Sequence, residues 1–297
     1  MNKIKVGRAV GRGVWLVVMS IFSLIMVYPF LFSLMASLNT IKEFSNMGNL
    51  FPWPSDPQWR NYATVFSIDG LRPLMNTVFR TAWYTIIACV MAMLVGYCMA
   101  RYNFRLKKLF LFIILGTQII PGVLTMIPTF VMVARIPLVG GNDIFGQGGS
   151  GLINNPLMLY LPLGWGYLLW VFLFMQSMKS LPIGFEEAAE IDGCGFFRKL
   201  FQIVLPMQKS ILAVIGVNVA LGTWNDWMTP FMYINKMKDS TLPAYVGVLT
   251  AALQQFGEKD YPKVFAVSCV AMVPPFLIFL FLQKHIIQGI ASAGVKG

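Results

Sequence analysis

The sequence predicts an all-α membrane protein with six transmembrane helices and both termini on the cytoplasmic side. Three observations predict this: a charge-poor apolar composition, six apolar stretches long enough to cross a bilayer, and an uneven distribution of Lys and Arg between alternate loops. The 297 residues are 57% hydrophobic and 12% charged, with a mean hydropathy of +0.67. Soluble domains carry roughly 25% charged residues, so this composition excludes an ordinary soluble domain. A single membrane domain over 1–297 accounts for the whole chain.

The bilayer core is about 30 Å thick, and about 20 apolar residues cross it as a helix. The stretches that qualify are 14–36, 76–100, 109–133, 156–178, 209–234 and 264–283. Barrel strands would be about 10 residues long and alternate in polarity; these runs are longer and evenly apolar. The first follows a basic start, as a secretory signal does, but a signal's apolar region is about 7–15 residues, so 14–36 reads as a true span. Prolines punctuate the spans at Pro29, Pro121, Pro128, Pro162, Pro230, Pro274 and Pro275. Each removes a backbone donor and tends to kink its helix.

Orientation follows from the cations, because cytoplasmic loops are enriched in Lys and Arg. With the N-terminus inside, segments 1–13, 101–108, 179–209 and the tail from 284 hold 14 of the 23 cations, against Glu186, Glu187, Glu190 and Asp192. The opposite side holds the other nine cations and eight acids. Nearly all of the net charge of +11 is therefore topological. It does not signal a nucleic-acid partner.

Cys89, Cys98, Cys194 and Cys269 form no CxxC pair, and His285 is the single histidine. They read as small buried thiols and a lone imidazole, with no disulfide framework and no metal site. The loop at 139–155 is glycine-rich, but the chain contains no GxxxxGK[ST] sequence, so the loop reads as a flexible connector and not as a phosphate cradle. The external segment 37–75 carries FPWPSDPQWRNY, whose tryptophans suit the headgroup level or an external partner. The stretch 235–262 is polar at both ends and apolar between, a pattern for a short helix or re-entrant piece.

The most informative segment is the internal loop 179–208, KSLPIGFEEAAEIDGCGFFRKLFQIVLPMQ. Pro182 and Gly184 precede a helix-forming run from Phe185 to Asp192. Gly193 and Gly195 allow the positive φ that ends such a helix, and a second helical run, Phe196 to Val204, leads to Pro206. A helix–turn–helix standing out of the membrane follows.

Glu187, Ala188, Ala189, Gly193, Ile203, Leu205 and Pro206 match, at every position and spacing, the EAA loop of permeases in binding-protein-dependent ABC importers. The chain resembles that family over nearly its whole length. TWNDWMTPF at 223–231, Thr241-Leu242-Pro243 and the terminal GIASAGVKG are similar to the sugar-transporting branch, in particular to the smaller permeases of maltose-type transporters. The resemblance implies the type I ABC importer permease fold in a bacterial cytoplasmic (inner) membrane. It implies that the short helix of the loop docks on a cytoplasmic ATPase, and that the tail, with Gly294, Lys296 and Gly297, reaches the ATPase too. It further implies a second, different permease subunit, two ATPase subunits and an extracytoplasmic solute-binding protein. ATP and Mg belong to the ATPase partners; this chain binds no cofactor and is not itself an enzyme.

Polar residues inside spans usually face the bundle interior or water. Asn218, Gly222 and Asn225 are spaced to share one face of the fifth span, Asp226 is beside them, and Gln118 precedes Pro121. These are candidates to line a translocation path for a hydroxyl-rich sugar; interhelical hydrogen bonding uses the same residues. Gly216 and Ala220 form a small-residue packing face on the same span. Two other functional classes stay open at this stage. A secondary transporter or channel would need more intramembrane carboxylate than Asp226, and a membrane enzyme would need a nucleophile–base pair or metal cluster that no span supplies. A non-sugar solute is a further alternative.

Overall fold

The computed structural model describes residues 2–46, 51–161, 167–256 and 260–294. Its principal helices are α1 (Asn2–Ser37), α2 (Ile68–Arg101), α3 (Lys107–Ile119), α4 (Gly122–Ala134), α5 (Tyr167–Lys179), α6 (Gly184–Ile191), α7 (Phe196–Met207), α8 (Lys209–Asn225), α9 (Met228–Tyr233), α10 (Leu242–Phe256) and α11 (Tyr261–Gly294). No strand occurs among the described residues. Gly11–Ser37, Gly70–Arg101 and Tyr261–Phe281 are each long and apolar enough to cross a membrane unaided. Three bent pairs, α3 with α4, α5 with α6 and α7 with α8, reach that length and apolarity only together.

The bends are sharper than the kinks expected of the prolines, and each has a local cause. The stretch 109–133 is two helices meeting at 103°. Pro121 lacks an N–H and disfavours helical backbone at the preceding residue, and Ile120 is extended at φ −81°, ψ 114°. The stretch 209–234 breaks after Asn225, where Asp226 leaves the helix (ψ 96°) and its Oδ1 accepts the Thr229 N–H at 3.1 Å, starting α9. In 156–178, Pro156–Leu159 form a 3₁₀ turn and the α-helix begins at Tyr167; Pro162 lies outside the described residues. The expected 76–100 and 264–283 sit inside the longer α2 and α11, which keep Pro73, Pro274 and Pro275 within helix.

The chain divides into two compact units, Met1–Leu71 with Val246–Val273, and Arg72–Tyr245 with Pro274–Gly297. In the first, the apolar window of α1 buries none of its residues against the chain. After α1 the backbone is tied down by side chains. Asn39 Nδ2 donates to Met35 O and Pro52 O, Asn61 Nδ2 donates to Ser37 O and Asn39 O, and Ser37 Oγ lies 2.7 Å from Tyr62 Oη. Thr40 and Glu43 form a capping box at the helix Ile41–Ser45. Hydrogen bonds from the Thr40 backbone and the Ser55 side chain hold the Glu43 carboxyl below its ordinary range. Trp53 and Trp59 are exposed, as a headgroup-level or partner-facing segment requires.

The second unit packs α2 against α5 and α8. In lipid, helices gain little from apolar transfer and associate by close packing, so small residues mark their contacts. Ala88, Ala92 and Gly96 make such a stripe along α2, all buried. A Cβ on Gly96 would meet Phe174 Cδ1 at 2.9 Å and Val171 O at 3.0 Å. Gly216 of α8 faces Cys89 and Thr85 at 3.7 Å, an ordinary contact. Large side chains, among them Tyr97, Phe174, Met178 and Ile215, fill the space around the stripe.

The glycine-rich loop, expected as a flexible connector, is instead a folded buckle. Asn142 Nδ2 donates to Ala134 O and Ile136 O while its Oδ1 accepts the Gly149 N–H. The glycines are there because backbone strands touch: a Cβ on Gly149 would lie 2.3 Å from Gly140 O, and one on Gly151 2.2 Å from Val133 O. The stretch 235–262 contains a true helix, α10, whose first residue Leu242 is fully buried and donates its N–H to Thr77 Oγ1 at 2.8 Å.

Candidate functional site

The polar loop between α5 and α8 is built as a hairpin of α6 and α7. It leaves α5 at 81° and rejoins α8 at 80°, so both arms lie across the helices they connect. The turn between them is a Schellman motif: Cys194 N–H donates to Ala189 O at 2.9 Å and Gly193 N–H to Glu190 O at 3.0 Å, with Gly193 at φ +76°. This left-handed backbone favours glycine. Gly195, expected to share the positive φ, is extended at φ −72° and ψ 171°, because the Schellman turn needs only one left-handed residue. Glu186 and Glu187 in the first turn of α6 favour the helix dipole.

The second arm carries a π-turn over Leu200–Val204, where the Leu205 N–H reaches back to Leu200 O. Pro206 follows directly; its ring would crowd the carbonyl four residues earlier in a regular helix, and the wider turn relieves that contact. Ile203, Leu205 and Pro206 therefore mark a local widening of the helix. Gln208, at the bend into α8, is buried and its Oε1 accepts Ser177 Oγ–H at 2.6 Å.

The two adjacent glutamates of α6 have opposite environments. Glu187 and Ala188 face outward, whereas Glu186 and Ala189 are buried. Glu186 is gripped from α2: Arg101 Nε donates to Oε1 at 2.7 Å and Tyr97 Oη donates to Oε2 at 2.8 Å. Arg101 Nη2 also holds Leu181 O at 3.1 Å. Lys199 of α7 pairs with Glu190 of α6, and Phe196 packs edge-on against Tyr97 at 5.6 Å. The outward surface bears Ile183, Phe185, Ile191, Phe197 and Phe201, all well exposed and Ile191 at 88%. An apolar, acid-marked face on a rigid hairpin is suited to a protein partner. Sequence reasoning missed Glu186, Arg101 and Tyr97; a buried partner 85 residues away leaves no local pattern.

The predicted path residues fall into separate environments. Asn218, Gly222 and Asn225 share an exposed face of α8, whereas Ile215, Val217, Val219 and Trp224 of the same helix are buried. Nothing approaches a Cβ built on Gly222 within 4 Å. Asn218 Nδ2 donates to Val214 O of its own helix at 2.8 Å. Gln118 is exposed at the α3–α4 break, with its amide on Thr117 Oγ1. Asp226 is turned away into an ion pair, its Oδ2 2.6 Å from Arg80 Nη2. Arg80, another residue the sequence reading passed over, is 4% exposed in its side chain and also donates to Leu159 O and Thr223 O. Of the tail residues, Gly294 ends α11 and Lys296 and Gly297 lie outside the described residues. Among the described residues no group of His, Cys, Asp and Glu side chains is arranged to hold a metal ion.

The model of the family described as "Binding-protein-dependent transport system inner membrane component" matches residues 88–292. The arabinooligosaccharides transport system permease protein AraQ of Halalkalibacterium halodurans is 29% identical over 278 residues, covering 92% of each chain. The melibiose/raffinose/stachyose import permease protein MelC of Bacillus subtilis is 29% identical over 273 residues, covering 91% of each. Among solved structures, a chain of a bacterial ABC transporter involved in the import of the acidic polysaccharide alginate superposes with a TM-score of 0.72 at 20% identity, covering 93% of this chain and 96% of that one.

Proposed function

Because the chain belongs to the family of binding-protein-dependent transport system inner membrane components, we propose that it is a permease subunit translocating a sugar or oligosaccharide handed over by an extracytoplasmic binding protein. It carries the fold of type I ABC importer permeases. The saccharide class rests on relatives named for arabinooligosaccharide and for melibiose, raffinose and stachyose import. The excess of cations in alternate loops supports an N-in, C-in, six-span topology in the cytoplasmic membrane, with 1–297 as one transmembrane domain.

The observation that carries the reading is the hairpin. All seven motif residues, Glu187, Ala188, Ala189, Gly193, Ile203, Leu205 and Pro206, fall on it, and its outward face combines Glu187 with exposed Phe185 and Ile191. In this reading the face docks on a separate ATPase subunit, one of two, which bind ATP and Mg and perform the hydrolysis. A second, non-identical permease covers apolar surface that this chain leaves open, and Gly294, Lys296 and Gly297 approach the ATPases. Asn218, Gly222, Asn225 and Gln118 line the path, where amide groups exchange hydrogen bonds with sugar hydroxyls. Asp226 contributes through Arg80, by fixing the break that ends α8.

Co-purification from membranes tests the reading: the tagged chain retains an ATPase, and Glu187→Lys releases it and abolishes uptake while the protein still inserts. Gly193→Asp acts alike, with a backbone cost of about 1–2 kcal/mol from the left-handed φ that leaves insertion intact. Normal uptake of a panel of labelled oligosaccharides in both variants would defeat the assignment.

A further inference from the structure

The buried grip on Glu186 has no part in docking, since Glu186 faces away from the outward surface of the hairpin. We infer that Glu186, Arg101 and Tyr97 form an intramolecular latch that makes the hairpin and the adjoining end of α2 move as one body, so that displacement of the hairpin is delivered to α2 and not absorbed in the bends at its two ends. The inference rests on the proposed docking of the hairpin to an ATPase.

The hairpin is joined covalently to α5 and α8 through bends of 81° and 80°, and a bend between two helices is where hinge motion is taken up. Its covalent attachments alone are therefore compliant. The latch supplies the stiff connection. Arg101 binds both the approach to the hairpin, at Leu181 O, and the body of α6, at Glu186, which locks the α5–α6 bend against the same guanidinium. Tyr97, 1% exposed, occupies the second carboxylate oxygen and carries Phe196 of the other arm on its ring. The Lys199–Glu190 pair ties the arms together. The Glu186 and Arg101 side chains are 8% and 12% exposed, so separating them leaves each charge uncompensated in a buried site. Immediately before Tyr97 on α2, Gly96 lies against α5, so the latched end is also the close-packed end. Glu186 and Arg101 are thus positioning residues for transport, distinct from the exposed Glu187.

The test uses the whole importer assembled in proteoliposomes with its binding protein and a labelled oligosaccharide that the wild type takes up. Glu186→Gln and Arg101→Gln are expected to retain the ATPase and its hydrolysis while sugar carried per ATP falls by about 5- to 150-fold, the range of ordinary coupling energies. The exchanged pair Glu186→Arg with Arg101→Glu should recover part of that loss. In a cysteine-free background, spin labels at Arg198→Cys, exposed on the second arm, and at Val90→Cys should keep one narrow distance before and after ATP–vanadate trapping, and Glu186→Gln should broaden it. Unchanged sugar per ATP in both single variants, or a wild-type label distance that shifts on trapping, overturns the latch. Loss of the ATPase from Glu186→Gln overturns it as well, because the residue would then serve docking. A wild-type chain that retains no ATPase refutes the underlying docking reading instead.

Discussion

Replacing Asp226 by asparagine removes the carboxylate that faces Arg80, and the structure allows the cost to be worked out. The Arg80 side chain is 4% exposed and that of Asp226 is 25% exposed. In the variant the guanidinium keeps Leu159 O at 3.1 Å, Thr223 O at 3.3 Å and the Tyr84 ring at 4.9 Å. Those groups accept its protons but do not neutralise its charge. Breaking a buried ion pair from one side costs about 3–5 kcal/mol. The Asp226 side chain is only partly buried, and the asparagine oxygen still accepts one bond, so about 2–3 kcal/mol is expected. Arg80→Gln leaves a carboxylate that is less buried than the guanidinium was and still accepts the Thr229 N–H, and should cost less, about 1–2 kcal/mol. The double variant should cost less than the two singles summed, by at least about 1 kcal/mol. Unfolding of the purified chain in detergent, followed by tryptophan fluorescence, measures all four corners of the cycle. Strict additivity would refute the claim that Asp226 is engaged by Arg80, and would return it to the open path face with Asn225.

Gly96→Ala should destabilise the chain by about 1–3 kcal/mol, because the new carbon meets Val171 O at 3.0 Å and Met175 N at 3.2 Å, atoms of a backbone that must shift; Gly216→Ala, with 3.7 Å contacts, should be neutral or gain up to about 1 kcal/mol of helix propensity, and the same unfolding assay ranks them. Gly149→Ala should open the buckle at 139–155, since its Cβ would lie 2.6 Å from Asn142 N; hydrogen exchange at the Asn142 and Gly149 amides should rise while that of α5 stays unchanged. Glu43 is held below the ordinary glutamate value of 4.5. Its capping contribution is therefore fully present above that value and disappears as pH falls through the lowered one, so the protection of the amides over 40–45, relative to an unstructured peptide at the same pH, should fall in acid, and Glu43→Gln should remove that step.

Features that arise from neighbours along the chain were legible in the residues alone. Apolar length located the crossing material, and the hairpin could be read down to Gly193, because a helix start, a left-handed turn and a proline are all local events. Even the break at Pro121 was marked, although its 103° angle was not. Packing made the choices between adjacent polar residues. Glu186 and Glu187 are chemically identical and adjacent, yet one is clamped by Arg101 and Tyr97 and the other is free to meet a partner. Asp226 and Asn225 are likewise neighbours, and only the buried Arg80, 146 residues away from Asp226, draws one off the exposed face. A local pattern can state that a polar group must be satisfied inside a membrane, but the partner is set by which helices come within about 3 Å of it, and that is a property of packing.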